Sequence, residues 1–387
     1  MTRPATTPLA PWPIGDPATM APNAERDELR SVVRKLLSQL ASHEDVRRAT
    51  ETERGWSPEL WATMHDEMSF GAMAVPEARD GAGFGLRELA AVLEETGRAL
   101  VSEPFLTAAV AVQAVTLADA DEVGAEWLPA LMSGETVAGA DLRSPAPVTV
   151  TADTATGSLT NVAHGGSLDV LVIAATEAGA AGLYLVDLRA PEVKRQRLQC
   201  LDTTRPCATV TFEAAPARRL VGPDRFGPVL SRLRDFQAAA LAAEHVGIID
   251  RLLSTTREYL MTRRQFDRPL ASFQAIKHRL ADLLVDSERS RSAAEYAAEA
   301  WDQSTDDAPL AAAVASAVCT DAVIRTAHEA IQLHGGIAFT WEHEAHYYLR
   351  RALGDEALLG SARQARARIA ELVGLRADQP TEEKELT

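Results

Sequence analysis

The apolar residues of this 387-residue chain change period twice, and that double change constrains its fold more than any other feature. From Glu25, the positions Leu29, Val32, Val33, Leu36, Leu37 and Leu40 recur at helical spacing. Ser57-Pro58-Glu59 predicts a helix start, with serine as N-cap and proline in the first helical turn. Gly81 to Gly85 (GAGFG) reads as a turn and Leu86 to Leu100 as a helix. Two further helices follow, the second closing near Gly134. The period then drops to that of strands. Val148-Thr-Val-Thr, Leu168 to Ala174, Gly182 to Leu188 and Ala208 to Phe212 are alternating or continuous apolar, β-branched runs between Gly, Asp and Pro.

Pro223 and Asp224 mark the exit from this region, and after Phe226 the helical period returns. Leu230, Leu233, Gln237, Leu241, Glu244, Ile248 and Leu252 share one stripe, with two polar residues inside it. A second long helix is predicted from Ser272 as N-cap, with Phe273, Ile276, Leu280 and Leu283 on one face. A third runs from Pro309 to His334, where Gly335-Gly336 stops it, and a last from Gly360 to Val373. The resulting class is α+β. It comprises a proline-rich flexible arm (1–24), an N-terminal helical domain (25–144), a middle small β-domain (145–222), a C-terminal four-helix bundle (223–376) and a charged tail (377–387).

Charge and composition remove several function classes. A formal charge of −16 argues against nucleic acid or an anionic membrane as partner. No run approaches the roughly 18 consecutive apolar residues of a membrane span. The N-terminus lacks the basic and apolar segments of a signal peptide. Cys200, Cys207 and Cys319 make neither an even disulfide set nor a metal cluster, which fits a reducing cytoplasm. His343-Glu-Ala-His346 has the spacing of two ligands on one helix face, but no third ligand set accompanies it, so no metal is expected. The GAGFG turn lacks the Lys-Ser/Thr of a phosphate loop.

Three segments, in order, carry a resemblance to a known family. Val75-Pro76-Glu77 leads into Gly81-Ala-Gly-Phe-Gly85. Arg263-Arg264-Gln265-Phe266-Asp267-Arg268-Pro269-Leu270 is followed by Ser272-Phe273-Gln274 and Leu280-Ala281-Asp282. Gln332-Leu333-His334-Gly335-Gly336 closes the third long helix. These are similar to the "vPEe.GG.G", "R.QFG.PL..FQ…LAD" and "Q.hGG" segments of the acyl-CoA dehydrogenase family, whose fold has the same helical, β, helical order. The resemblance implies FAD as cofactor, with Arg263, Gln265, Phe266, Gln274, Gln332, Gly335 and Gly336 holding the adenylate half of a neighbouring subunit's FAD. The residue types suit that task. A guanidinium fork matches pyrophosphate oxygens, amides match the adenosine edges, and glycines let backbone approach a ligand.

The chain departs from the family where the chemistry occurs. The family's catalytic glutamate stands at one of two positions, which counting from the matched motifs assigns to Leu359 and Gln237. Neither takes a proton. Glu244, two turns past Gln237, is a substitute candidate, beside a reading in which it is a buried polar residue paired with an arginine or a backbone group. Asp355-Glu356 reads as an exposed acidic pair. In the β-domain, Ala140-Asp-Leu-Arg-Ser144 and Leu159-Thr-Asn-Val-Ala163 stand where flavin-ring motifs are usual, and the ring-stacking tryptophan is missing.

Adenylate contacts without ring or base resemble the Arg-bearing subunit of heterotetrameric, sterol side-chain type acyl-CoA dehydrogenases. That implies an α2β2 assembly with a homologous subunit, an acyl-CoA or other acyl-thioester substrate, and an electron-transfer flavoprotein or similar acceptor. Two other readings remain open at this point. One is a self-sufficient homo-oligomeric flavoenzyme that uses Glu244 or a carrier-bound substrate. The other is a non-catalytic scaffold.

Overall fold

Helix starts in the N-terminal region are set by short polar caps. In the computed structural model, which describes residues 23–118, 121–144, 147–340 and 343–375, Asn23 Oδ1 accepts the amides of Glu25 and Arg26 to open α1 (Ala24–Leu40). Ser42 and Asp45 form a capping box on α2 (His43–Thr50). Ser57 caps α3 (Pro58–Met68), with Pro58 in its first turn as the sequence predicts. Then follow α4 (Leu86–Ala99), α5 (Phe105–Thr116) and α6 (Asp121–Met132). The expected arm and tail lie almost wholly outside the described residues.

Seven strands make the middle sheet: β1 (Ala138–Asp141), β2 (Val148–Thr151), β3 (Thr154–Ala163), β4 (Val170–Glu177), β5 (Ala180–Asp187), β6 (Val193–Arg197) and β7 (Cys207–Val221). β5 pairs with both β4 and β7, so the ladder β4-β2-β3-β7-β5 closes on itself, with β1 and β6 as appendages. β1, β3 and β6 carried no strand signal in the sequence. β1 is four small or acidic residues, β3 is interrupted by Gly157, and β6 is charged and largely exposed.

β7 ends at Val221, and Pro223 opens the next helix just past it. It is the first residue of α7 (Pro223–Thr262), where its missing N–H costs nothing. A two-residue turn joins β8 (Arg264–Gln265) to β9 (Arg268–Pro269), and α8 (Gln274–Gln303) runs back along α7. Its N-cap is Phe273, not Ser272, whose hydroxyl donates to the Pro269 carbonyl instead. α9 (Ala308–His334) ends at Gly335, which has φ +68°. By length and composition the Ala308–Ala338 stretch would suffice to cross a membrane, but most of it is buried in the bundle.

α10 (Ala345–Leu359) is a fifth helix that the sequence reading missed, and α11 (Ala362–Leu372), capped by Ser361, lies along α9. Gly247 on α7 lets α4 come close, because a Cβ there would stand 1.7 Å from the Glu94 carbonyl oxygen. One hydrophobic core runs from α1 through the sheet into α7 and α8, and a second joins Leu100, Ile248 and Leu252 to Tyr348 on α10.

Candidate functional site

The residues of the second and third motifs gather at one end of the bundle, whereas the Gly81–Gly85 turn lies at the other, where the Leu86 amide donates to Asp302 near the end of α8. α7 ends at Arg263, α8 begins at Gln274, and α9, antiparallel to α8, ends at His334. Arg279 near the start of α8 pairs with Glu329 near the end of α9 at 2.5 Å, and the rings of Tyr259 and His334 lie 4.6 Å apart. Three helix ends therefore converge. Gln265 pairs with Arg268 across a two-residue turn in which Phe266 and Asp267 both have positive φ, 51° and 61°. That is the handedness of a type I′ hairpin, normally the province of Gly and Asn. The turn is held by Arg264 Nη2 donating to the Asp267 carbonyl (2.6 Å) and by Arg268 over the Phe273 ring at 3.9 Å.

It leaves Phe266 85% exposed. Arg263, Gln265, Gln274, Gln332 and Gly336 are exposed too, and Gly335 is half-buried. Around the would-be Cβ of Gly335 and of Gly336 there is open space. Among the described residues nothing packs into that space, which leaves the backbone there open to approach. A guanidinium, three amides and an uncovered glycine backbone, exposed at these converging helix ends, are the donor types that a nucleotide pyrophosphate and adenine edge require.

The positions corresponding to ring and base meet elsewhere. A cavity of about 490 Å³ opens between β1, β3, α7, α9, α10 and α11, and both Gln237 and Leu359 line it. Ala140 to Arg143 and Asn161, from the two β-segments singled out in the sequence, line it as well. Among the described residues no aromatic side chain does. Its two acids are Asp141, paired with Arg143, and Asp235, paired with Arg368 at 2.6 Å. Burial pushes the Asp235 carboxyl up to about 6, with Arg368 and Arg234 pulling the other way. Sequence reading passed over Asp235. Its signal was an acid between the core positions Leu233 and Phe236.

Glu244 is not at this cavity. It is 3% exposed, and its Oε1 accepts from Arg205 Nη2 (2.6 Å) and Arg351 Nη1 (2.5 Å). The paired-residue reading is the one the geometry supports. Arg351 also reaches Asp202 (3.0 Å), Thr204 and the Val101 carbonyl, so the cluster ties the α4–α5 connection, the β6–β7 loop, α7 and α10 together. Asp355 belongs to it. The exposed acidic pair expected at Asp355-Glu356 is corrected here, since Asp355 is fully buried, 2.9 Å from Arg205 and 3.4 Å from His245. Burial alone would raise its carboxyl, but Arg205, the His245 ring and Arg351 hold it below the usual range. At the start of α10, the His343 ring faces His334 (4.4 Å), and among the described residues no group of three His, Cys, Asp or Glu is placed to hold a metal.

The two ends are far apart. Gln237 and Arg263 are 26 residues apart along one helix and its cap, roughly 39 Å at about 1.5 Å per residue. A single dinucleotide cannot have its ring in this chain's cavity and its adenylate on this chain's Arg263.

Comparison with known proteins adds an independent line. Residues 23–135 match the model of the acyl-CoA dehydrogenase N-terminal domain and residues 229–374 that of the acyl-CoA dehydrogenase C-terminal domain. The chain is 34% identical over 350 residues to the acyl-CoA dehydrogenase IpdE2 of Mycobacterium tuberculosis, covering 90% of this chain and 98% of the relative. Its fold is similar to a chain of the ChsE4–ChsE5 complex from Mycobacterium tuberculosis (TM-score 0.83, 27% identity, 92% of this chain and 99% of that one). It is equally similar to a chain of a Tcur3481–Tcur3483 steroid ACAD variant (TM-score 0.82, 28% identity, 90% of this chain and 98% of that one).

Proposed function

The chain belongs to the acyl-CoA dehydrogenase family, and from that premise we propose that it is the Arg-bearing subunit of a heteromeric enzyme. In this reading it pairs with a homologous subunit in an α2β2 assembly that desaturates an acyl-CoA thioester between its α and β carbons. The observation that carries it is the content of the cavity. Gln237 and Leu359, the two positions for a base, face the same space, and neither accepts a proton. The partner then supplies the carboxylate and the ring pocket. Arg263, Gln265, Phe266, Gln274, Gln332, Gly335 and Gly336 bind and orient the adenylate half of FAD across the subunit boundary. When bound, the flavin supplies a hydride acceptor for the β-carbon. An electron-transfer flavoprotein or similar acceptor would take the electrons onward.

Two further features favour this reading. The roughly 39 Å between Gln237 at the cavity and Arg263 supports a half-site that serves another chain. The outer face of α8 is apolar around Leu284 and Val285, 51% and 64% exposed, and Met261 and Ile337 near the half-site are also uncovered, as a face awaiting a partner would be. The similarity to a chain of a two-protein complex favours a heteromeric assembly, and that to a steroid ACAD chain favours a steroid-derived acyl-CoA as the substrate class. Arg263→Ala should leave the assembly intact but weaken FAD retention by about 10- to 150-fold, the loss of one charge-assisted contact of ~1.5–3 kcal/mol. Unchanged flavin content of the variant assembly after gel filtration would count against the half-site.

A second reading, a self-sufficient enzyme, now rests on Asp235 in place of Glu244. Asp235 is the cavity acid whose carboxyl burial pushes up to about 6.

A further inference from the structure

Three rings stand in a row where the ends of α7 and α9 meet the start of α10. Tyr259 lies one turn before Arg263, whose amide donates to the Tyr259 carbonyl at 2.8 Å. The Tyr259 ring is 4.6 Å from that of His334, tilted by 30°, and His334 is 4.4 Å from His343, at 56°. His334 is the last residue of α9, directly before Gly335, and is 5% exposed. The row therefore joins the end of α7 that carries Arg263 to the end of α9 that carries Gly335-Gly336.

Each imidazole in the row is fixed by the backbone. His334 Nδ1 donates to the Ala330 carbonyl at 2.8 Å, and since a carbonyl only accepts, that nitrogen carries the proton. His343 Nδ1 accepts from the Ala345 amide at 3.2 Å. Burial and then the neighbouring His334 hold the His343 pKa below its ordinary value, with Glu344 pulling the other way, so that ring is neutral at neutral pH. Glu344 in turn accepts from Arg251 Nε and Nη2 at 3.0 and 3.1 Å. Arg251 stands two turns before Tyr259, so α7 grips the start of α10 through Glu344 and the end of α9 through His334. Beyond His334 the chain has no side chain with which to anchor itself. Gly335, at φ +68°, and Gly336 both face open space, and their place relative to Arg263 depends on the residue before them.

We propose that, with Arg263 and Gly335-Gly336 read as the adenylate half-site, His334 is its positioning residue: the ring, held between Tyr259 and His343, sets the open glycine backbone at the distance from Arg263 at which both meet one pyrophosphate. His334 acts through the backbone that follows it. A guanidinium and a stretch of backbone grip one anion tightly only when their separation is set before the ligand arrives, because ordering them on binding subtracts from affinity. Truncating the ring releases the glycines and leaves Arg263, the cavity and the buried ion cluster in place.

The test uses the assembled enzyme, co-expressed with a homologous subunit that carries the glutamate and then stripped of flavin. FAD is titrated back, and adenosine diphosphate, which has the adenylate and pyrophosphate without the flavin, competes with it. His334→Ala should raise the FAD Kd and the inhibition constant of adenosine diphosphate by the same factor, about 3- to 10-fold, the worth of one aromatic contact. His334→Phe keeps a ring against Tyr259 and should restore both to within about twofold of wild type. Tyr259→Ala should reproduce the loss with His334 intact, and Tyr259→Phe should not. A lower melting temperature with both constants unchanged would make the row a packing contact and overturn the proposal. So would weaker FAD with unchanged adenosine diphosphate, or His334→Phe as weak as His334→Ala. Arg263→Ala is measured alongside: a loss there with none at His334 overturns the positioning role alone, and no loss at either overturns the half-site with it.

Discussion

Replacing Glu244 by glutamine separates a structural carboxylate from a catalytic one. Both hydrogen bonds to this side chain end on Oε1, at 2.6 Å from Arg205 and 2.5 Å from Arg351. A glutamine carbonyl still accepts both, in the same volume. What is lost is the negative charge facing two buried guanidiniums, so each contact falls from an ion–ion to an ion–neutral hydrogen bond, about 1 kcal/mol apiece. Asp202 and Asp355 stay beside the arginines and limit the imbalance. The expected cost is about 2 kcal/mol, which for 387 residues lowers the melting temperature by about 3 °C. Turnover of the assembled enzyme with its acyl-CoA should stay within about tenfold, whereas losing a general base costs roughly 10²–10⁴-fold. Calorimetry and dye-coupled turnover on the same flavin-loaded preparation give both numbers. Normal stability with turnover down a hundredfold or more would refute the structural assignment and make Glu244 the base.

Glu103 provides a pH test. It accepts the Ser57 amide at 2.9 Å, and burial pushes its carboxyl up from 4.5 to about 7, with backbone amides and Arg351 pulling the other way. A group whose folded value is raised contributes stability below its unfolded value and loses it as pH rises through the folded one. Its contribution should therefore disappear between about pH 4.5 and 7, by at most about 3 kcal/mol. Glu103→Gln should gain stability relative to wild type between pH 5 and pH 8; urea midpoints with the same pH dependence in both proteins would contradict this. Asp235→Asn should leave turnover of the heteromeric assembly within about tenfold. A loss of a hundredfold or more at normal flavin content would favour the self-sufficient reading.

The order of helices, strands and helices was legible because burial imposes its period on the sequence wherever one face of an element meets the core. The stripe at Leu233, Leu241, Ile248 and Leu252 is buried as its spacing requires. β6 escaped because four of its five residues are exposed and charged or polar, and its place in the sheet comes from backbone pairing with β7. α10 escaped because charged residues interrupt its apolar pattern, and two of them, Arg351 and Asp355, are buried in the ion cluster and not on a solvent face. The motif residues around Arg263 were readable one by one. That Gln237 and Leu359, 122 positions apart, share a cavity follows from how α7 and α10 cross, which no local pattern encodes. Glu244 misled for a related reason. An acid on an apolar stripe signals burial, and only the tertiary structure shows the two arginines opposite it.

If this chain holds half of a flavin site, flavin stoichiometry will report it. The chain should be purified alone and again after co-expression with a homologous subunit that carries the glutamate missing here. FAD per chain, assembly mass and acyl-CoA oxidation are then measured on both preparations. Half a site forfeits the preorganisation that makes cofactor binding tight, so the chain alone should retain little FAD. With the partner it should gain FAD, activity and thermal stability together, as a ligand selective for the assembled state stabilises that state. Full FAD loading and acyl-CoA oxidation by the chain on its own would contradict the claim.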